Sequence, residues 1–428
     1  MLIRIFNAKI FDGKDIFDSC EVWIEDGKIR FLSTQGISPL IWLPWDREID
    51  AHQNLLMPTF KNAHAHSPMT FLRSYADDLP LRDWLFQQVF PAEAKLVADD
   101  CYWLTKLAIA EYLTSGIGLA CDMYKELDAI ASACVDCGFR NVIMEGITQG
   151  NADNLSQLLS HGIDNLQGKG GLVEYRLGLH AEYTNELSNI KAFARFANDR
   201  KMPVYMHNSE TKSEVADCIG RYGVTPVRLM NDLGMWDNGG AIFHGVHLAG
   251  EDMDILAEKN ISVVTCPASN LKLASGVAPL KQLMDKDVNI ALGTDGAASN
   301  NSLDMFKEMF LATALQKEKN NDASVVSAES VLQMATVNAA SALKLENNSY
   351  LAIGQKADMI LIDLQQPNMQ PLNNIAKNIV YAGSKSNVLM TIVNGKILYE
   401  KGEFFINEDI NEIYSRCNKI VERIKNTN

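Results

Sequence analysis

The chain has 428 residues, 47% hydrophobic and 21% charged, enough to bury a sizeable core in two or three units or in one large barrel with an added domain. Its 39 Lys and Arg against 53 Asp and Glu give a formal net charge of −14, a sign that repels nucleic acid and anionic membranes and points to a small-molecule partner. Eight cysteines are too sparse for a disulfide framework, the start MLIRIFNAKIFDGKD lacks a secretory pattern, and no run of about 18 apolar residues occurs, so a soluble protein of the reducing cytoplasm is expected.

Residues 1–57 read as short strands with turns: LIRIFNAKIF, then DGKD, then CEVWIEDGKIRFLS, alternating around an Asp-Gly turn. Eight apolar runs follow, each ending in a polar or titratable residue and each followed by a helix-like segment. They close at His66, Asp122, Glu145, His180, His207, His244, Cys266 and Asp295. Near-continuous apolar strands alternating with helices imply a parallel sheet covered by helices, and eight such units close a (β/α)8 TIM barrel. KADMILIDL and NVLMTIVNGKILYEKGEFF then return to the pattern of the first segment, with an Asn-Gly turn at Asn394-Gly395. The expected architecture is therefore α/β: a barrel over 58–346, and a small β-sandwich built from 1–57 together with 347–428. The last stretch, NEDINEIYSRCNKIVERIKN, has helical periodicity with both charge signs and reads as a helix docked on the body or contacting a second copy in a homo-oligomer.

The C-terminal ends of barrel strands line the mouth where barrel enzymes keep their active sites. Five of the eight histidines fall there: His64, His66, His180, His207 and His244. His64 and His66 are two apart, so on a strand both imidazoles face the same side and can share one ion. Alone, that spacing suits packing or hydrogen bonding equally well. His207 and Asp295 add a third nitrogen and a hard oxygen, a set that suits a catalytic divalent metal, most simply zinc, with Fe2+ or Mn2+ as alternatives. Zinc lowers the pKa of a bound water to about 7, but the proton still needs an acceptor and the leaving group a donor. Glu210, three residues after His207, and Asp295 fit those two tasks, while His244 arrives from the sixth strand. The plain alternatives are a helix-start carboxylate for Glu210 and a satisfied mouth histidine for His244.

MPTFKNAHAHSPMTFLRSYADDLPLRDWLFQQVFPAEAKL, MHNSET, FHGVHL, CPASNLKLASGVAPL and GTDGAASNNSLDMF, in that order, resemble the amidohydrolase superfamily, and within it the 5-methylthioadenosine/S-adenosylhomocysteine deaminases and related chlorohydrolases. The resemblance implies that His64, His66, His207 and Asp295 are metal ligands, that Glu210 passes a proton to a ring nitrogen, and that His244 polarises or steadies the attacking water, whose proton Asp295 accepts. It further implies that Glu93 binds ribose hydroxyls and that His180 contacts the bound nucleoside. The implied activity is hydrolytic deamination of an aminated purine nucleoside or related heterocycle. Loss of chloride or an alkylamine from a triazine-like ring, opening of a cyclic amide, and a non-catalytic metal-binding barrel are the alternatives.

Two departures bear on the site. No lysine stands at the end of the third or fourth run, where binuclear relatives carry a carboxylated lysine, so one divalent ion is expected. Glu145 stands where similar deaminases place an arginine, which makes it a substrate-binding candidate that disfavours a carboxylate tail. Cys134 and Cys137 form a CxxC on an apparent helix and read as core packing, as does Cys266. His52 and His161 read as surface residues, His247 as a loop brace, and Trp84 as either part of a lid or an ordinary helix face.

Overall fold

The computed structural model describes residues 1–33, 43–80, 83–346 and 348–426. Leu81 and Arg82 of the LRDW segment, and position 347 at the expected domain junction, lie outside the described residues.

From the N-terminus run β1 (Leu2–Phe11), β2 (Ile16–Glu25), β3 (Lys28–Ser33), β4 (Arg47–Asp50) and β5 (Leu55–Pro58). The Asp26-Gly27 pair between β2 and β3 has φ of 50° and 78°, both positive as a tight hairpin turn requires. Nine short parallel strands follow: β6 (Phe60–Ala65), β7 (Ile117–Tyr124), β8 (Arg140–Glu145), β9 (Val173–Tyr175), β10 (Leu177–Leu179), β11 (Val204–Asn208), β12 (Gly240–His244), β13 (Ile261–Thr265) and β14 (Ile290–Leu292). The chain closes with β15 (Met359–Ile362), β16 (Val388–Val393), β17 (Lys396–Glu400) and β18 (Glu403–Phe404).

The two ends share one nine-stranded sheet, ordered β18-β17-β16-β15-β5-β1-β2-β3, with β4 on β1. One face buries Ile3, Ile5, Ile10, Val22, Ile24, Leu56, Met359, Leu361, Met390 and Ile392 in a core of its own. The first apolar run therefore divides in a way its continuity hides. Leu55–Pro58 pairs with β1 and β15, and the parallel set begins only at Phe60.

The parallel strands form sheets β6-β7-β8-β9 and β10-β11-β12-β13-β14. All eight residues of β7 are buried, as expected for strands covered on both faces. The fourth run is broken at Arg176, whose guanidinium turns out to the Leu343 and Tyr175 carbonyls. Ile147 nevertheless bridges Leu179 in parallel between the two sheets. At the other edge the Asp295 N–H donates to the His64 carbonyl at 3.0 Å. A Cβ on Gly293 would lie 2.8 Å from the His64 backbone nitrogen, so only glycine admits this approach of the last strand to the first.

Helices Ala98–Thr114, Leu127–Cys137, Leu187–Arg200, Lys212–Tyr222, Gly250–Glu258 and Met305–Asn320 alternate with the parallel strands. The last helix, Ile410–Asn426, buries Ile413, Cys417, Ile420 and Ile424 along one stripe and packs on Ala98–Thr114, so it is docked on its own chain. Arg140 bonds Asp358 at 2.5 Å and Asn394 at 2.8 Å, tying the parallel strands to the terminal sheet. All eight cysteines are free and buried, with Cys134 beside Asn141, consistent with packing. Among the described residues, no helix is long and apolar enough to cross a membrane.

Candidate metal centre and catalytic pocket

The histidines meet where the parallel strands end. One ring nitrogen each from His64, His66 and His207 lies within 4.8 Å of the others, and so do one ring nitrogen each from His64 and His244 and a carboxylate oxygen of Asp295. Asp295 Oδ1 stands 3.3 Å from His66 Nε2 and 3.6 Å from His64 Nε2. These positions follow from strand geometry: His64 lies in β6, His66 just beyond it, His207 in β11 and His244 at the end of β12. Asp295 lies three residues beyond Leu292, the last residue of β14, on backbone that has left the strand with φ of 61°.

Neighbouring carbonyls fix the tautomers. His66 Nδ1 donates to the Met123 carbonyl at 2.6 Å and His207 Nδ1 to the His180 carbonyl at 2.7 Å, because a carbonyl oxygen only accepts. Each Nε2 therefore faces the cluster, the orientation in which metal-bound histidines are held. His64 is fully buried against Phe243, and neither of its ring nitrogens has a hydrogen-bond partner. A buried polar atom left unpaired costs about 1–3 kcal/mol, and a divalent cation between the three rings and Asp295 gives His64 its missing partner. The residues present thus fit a metal with three nitrogens and one oxygen.

Burial, reinforced by neighbouring rings, drives His64 and His207 well below the usual histidine range, so both are neutral, whereas against burial the Asp295 carboxylate raises His66 to about 9, so that its Nε2 carries a proton that a bound cation would replace. Burial opposes it, but the His66 ring holds Asp295 well below the usual carboxylate range. The Ser269 and Ser299 hydroxyls donate to Asp295 Oδ2 at 2.6 and 2.9 Å, leaving Oδ1 toward the rings.

The proton-handling candidates join the same cluster. Glu210 Oε2 is 3.8 Å from His244 Nε2, and the Ser275 hydroxyl lies 3.5 Å from Glu210 Oε1. Burial raises the Glu210 pKa, against the pull of His244, which favours a carboxyl able to carry a proton. His244 Nδ1 donates to Asn270 Oδ1 at 2.8 Å, which turns its Nε2 toward Glu210.

A cavity of about 580 Å³ opens from this cluster, within the range of small-molecule sites. His66, His207, His244, Asp295 and Glu210 line it, as do Glu93, Glu145 and His180. His180, just past β10, is lowered to about 4 by burial and then by His66, and its Nδ1 bonds Thr184 Oγ1 at 3.1 Å. Glu93 receives the Tyr124 hydroxyl at 2.5 Å, and Tyr175 donates its hydroxyl to Glu145. All nine residues singled out from sequence therefore stand in this cluster or on its cavity.

The family then follows from comparison: residues 55–398 match the amidohydrolase family. The chain belongs to that family. A 5-methylthioadenosine/S-adenosylhomocysteine deaminase of Moorella thermoacetica is 43% identical over 401 residues, covering 92% of this chain and 93% of that protein. The crystal structure of an adenosine deaminase from Xanthomonas campestris with bound zinc superposes with a TM-score of 0.92 at 30% identity, covering 100% of this chain and 98% of that one. The atrazine chlorohydrolase of Arthrobacter aurescens complexed with zinc has a TM-score of 0.89 at 20% identity, over 98% of this chain and 100% of that one, and shares the fold.

Glu214 and Tyr124, both beside this cluster, escaped the sequence reading. The Glu214 carboxylate accepts the Ser209 and Glu210 N–H groups at 2.8 and 2.7 Å, holding the turn that carries Glu210. Its signal was legible, since Thr211 and Glu214 form a Thr-x-x-Glu capping box. Tyr124 was hidden because the second run reads as ending at Asp122, whereas the strand continues to Tyr124. His161 is exposed, as expected, and also lines the cavity, bonded to Asp128 at 2.7 Å. Trp84 lines the cavity from a π-helical turn at Trp84–Val89, and His247 braces its loop by donating to the Ser275 carbonyl at 2.7 Å.

Proposed function

We propose that this amidohydrolase is a metal-dependent hydrolytic deaminase that releases ammonia from an aminated purine nucleoside or a related amino-heterocycle. In this reading the two parallel sheets are one (β/α)8 barrel over 58–346, and the terminal sheet folds on itself as a β-sandwich from 1–57 and 347–428. The observation that carries the function is the buried His64, without a hydrogen-bond partner, among His66, His207 and Asp295, at the base of a cavity that also presents Glu210 and His244. Relatives named as deaminases, 43% identical in the first case and zinc-bound in the second, support the reaction class and the choice of zinc.

His64, His66, His207 and Asp295 would hold one divalent ion, which when bound supplies an activated water at neutral pH. Asp295, whose Oδ1 faces the histidine rings, takes the proton that the water gives up. Glu210, with its raised pKa, gives a proton to the ring nitrogen next to the carbon that bears the amino group. His244 Nε2, oriented by Asn270, accepts a hydrogen bond from the water and keeps it directed at that carbon. His180, neutral and held by Thr184, contacts the base, and Glu93, held by Tyr124, accepts from the sugar hydroxyls. The deciding experiment measures ammonia, chloride and carboxylate release by zinc-loaded protein over a panel of amino-purines, amino-pyrimidines, chlorotriazines and cyclic amides. Ammonia from a purine nucleoside is the expected product, and chloride or carboxylate release alone would replace this reading with that of a different hydrolase.

A further inference from the structure

One wall of the cavity is built from two carboxyl groups, each anchored by a tyrosine. Tyr124 at the end of β7 and Glu145 at the end of β8 are register partners on adjacent strands. The Tyr124 hydroxyl donates to Glu93 Oε1 at 2.5 Å, and the Tyr175 hydroxyl, from β9, donates to Glu145 Oε2. The strand spacing of about 4.8 Å therefore sets Glu145 beside the Tyr124 that holds Glu93. The position relative to the metal cluster is also fixed: Met123, one residue before Tyr124, receives His66 Nδ1, and a Cβ on Gly146, one residue after Glu145, would lie 3.7 Å from His180.

We propose that Glu145 determines substrate specificity, selecting a nucleoside whose sugar carries a cationic or hydrogen-bond-donating substituent and rejecting an anionic one. This rests on the nucleoside-deaminase reading above and narrows it. A tyrosine hydroxyl occupies part of each carboxyl, and the remaining acceptor capacity of Glu145 borders the cavity. Glu126 and Asp128 line the same side, and Asp128 is paired with His161. The cationic side chain there, Lys125, donates to the Glu93 carbonyl at 2.5 Å, and no arginine lines the cavity among the described residues. A carboxylate tail would thus meet like charge with no planar donor to receive it, whereas an ammonium would find an acceptor already oriented by Tyr175. Burial pushes the Glu145 carboxyl up to about 7 against the Tyr175 hydrogen bond, and an approaching cation favours its charged form.

The test uses zinc-loaded full-length protein at pH 7.5 and three nucleosides with one base: 5′-amino-5′-deoxyadenosine, 5′-deoxyadenosine and adenosine-5′-carboxylic acid. The expected kcat/KM for the amine exceeds that for the acid at least tenfold. Glu145→Gln, which retains an acceptor for Tyr175, should shrink that ratio at least fivefold. Equal use of the acid and the amine, or a ratio indifferent to Glu145→Gln, overturns the proposal. Equilibrium binding of the same three compounds keeps the two readings separate. If none releases ammonia, the deaminase assignment fails on its own, and the order of dissociation constants still decides the role of Glu145.

Discussion

Glu214 holds Glu210 by its backbone: the Glu214 Oε2 atom accepts the Glu210 N–H at 2.7 Å while Oε1 accepts that of Ser209 at 2.8 Å. The Ser209 carbonyl is held from the opposite side by the Val246 and His247 N–H groups at 2.9 and 2.8 Å, so the turn is clamped between two elements. Glu214→Gln replaces an acceptor with a donor that faces those N–H groups. Displacement of a reacting group by about 1 Å costs on the order of a hundredfold in rate. Steady-state kinetics should therefore show kcat falling tenfold to a hundredfold with KM within about threefold. An unchanged kcat would show that Glu210 is oriented without Glu214.

Metal binding and proton transfer should separate by mutation. His64→Ala removes a buried ring whose nitrogens have no other partner, and both metal content and activity should be lost. Glu210→Gln removes the proton donor, and turnover should fall roughly a hundredfold to ten-thousandfold with metal content unchanged. Elemental analysis of the purified variants beside their turnover checks both expectations.

Chelation should destabilise the fold, because the cluster draws its groups from β6, β11 and β12 and from the segment after β14. A ligand present at about a thousand times its Kd stabilises the native state by about 4 kcal/mol. Thermal unfolding with and without a chelator should accordingly show a lower midpoint for stripped protein, restored by added zinc. Overlapping melting curves would mean that the cluster holds no metal in solution.

Two buried carboxyls outside the metal cluster predict a pH dependence of stability. Burial pushes Glu145 up to about 7 and Glu308 up to about 8, in each case against hydrogen bonds that favour the charged form. Both folded values lie above the unfolded ones, so the folded state binds more protons. Their contribution is complete below about pH 4.5 and is lost as pH rises through 7 and 8. For Glu145 the loss is roughly 3 kcal/mol. Urea unfolding at pH 5.5 and 8.5 should show a smaller decline in Glu145→Gln than in the parent chain. An equal decline would mean that Glu145 titrates as an exposed carboxyl does.

Much of this was legible in the chain. Alternating segments with Asp26-Gly27 and Asn394-Gly395 turns marked the hairpins of the terminal sheet, because a two-residue turn needs positive φ at both positions and few residue pairs supply it. The run endings marked His66, His180, His207 and His244, since a parallel strand buried on both faces tolerates polar groups chiefly where it leaves the sheet. What escaped depended on contacts between distant segments. Tyr175 lies within an apolar stretch and Tyr124 past the residue taken as the end of its run, and only folding places their hydroxyls on Glu145 and Glu93. His161 is exposed, as its polar neighbours in sequence imply, and folding adds that it stands on the rim of the cavity beside Asp128.

The sequence by itself determined the alternation of apolar runs and helices, the family, and the residue types available for metal binding and proton transfer. All are properties of local pattern and composition. Tertiary structure alone decided which nitrogen of each histidine faces the cluster, because that depends on whether Met123, His180 or Asn270 accepts from the other. It also decided the surroundings of Glu145. A glutamate at the end of an apolar run has a fixed charge chemistry, but whether it faces solvent, an arginine or a tyrosine depends on β9 reaching its side, and only the folded chain brings Tyr175 there.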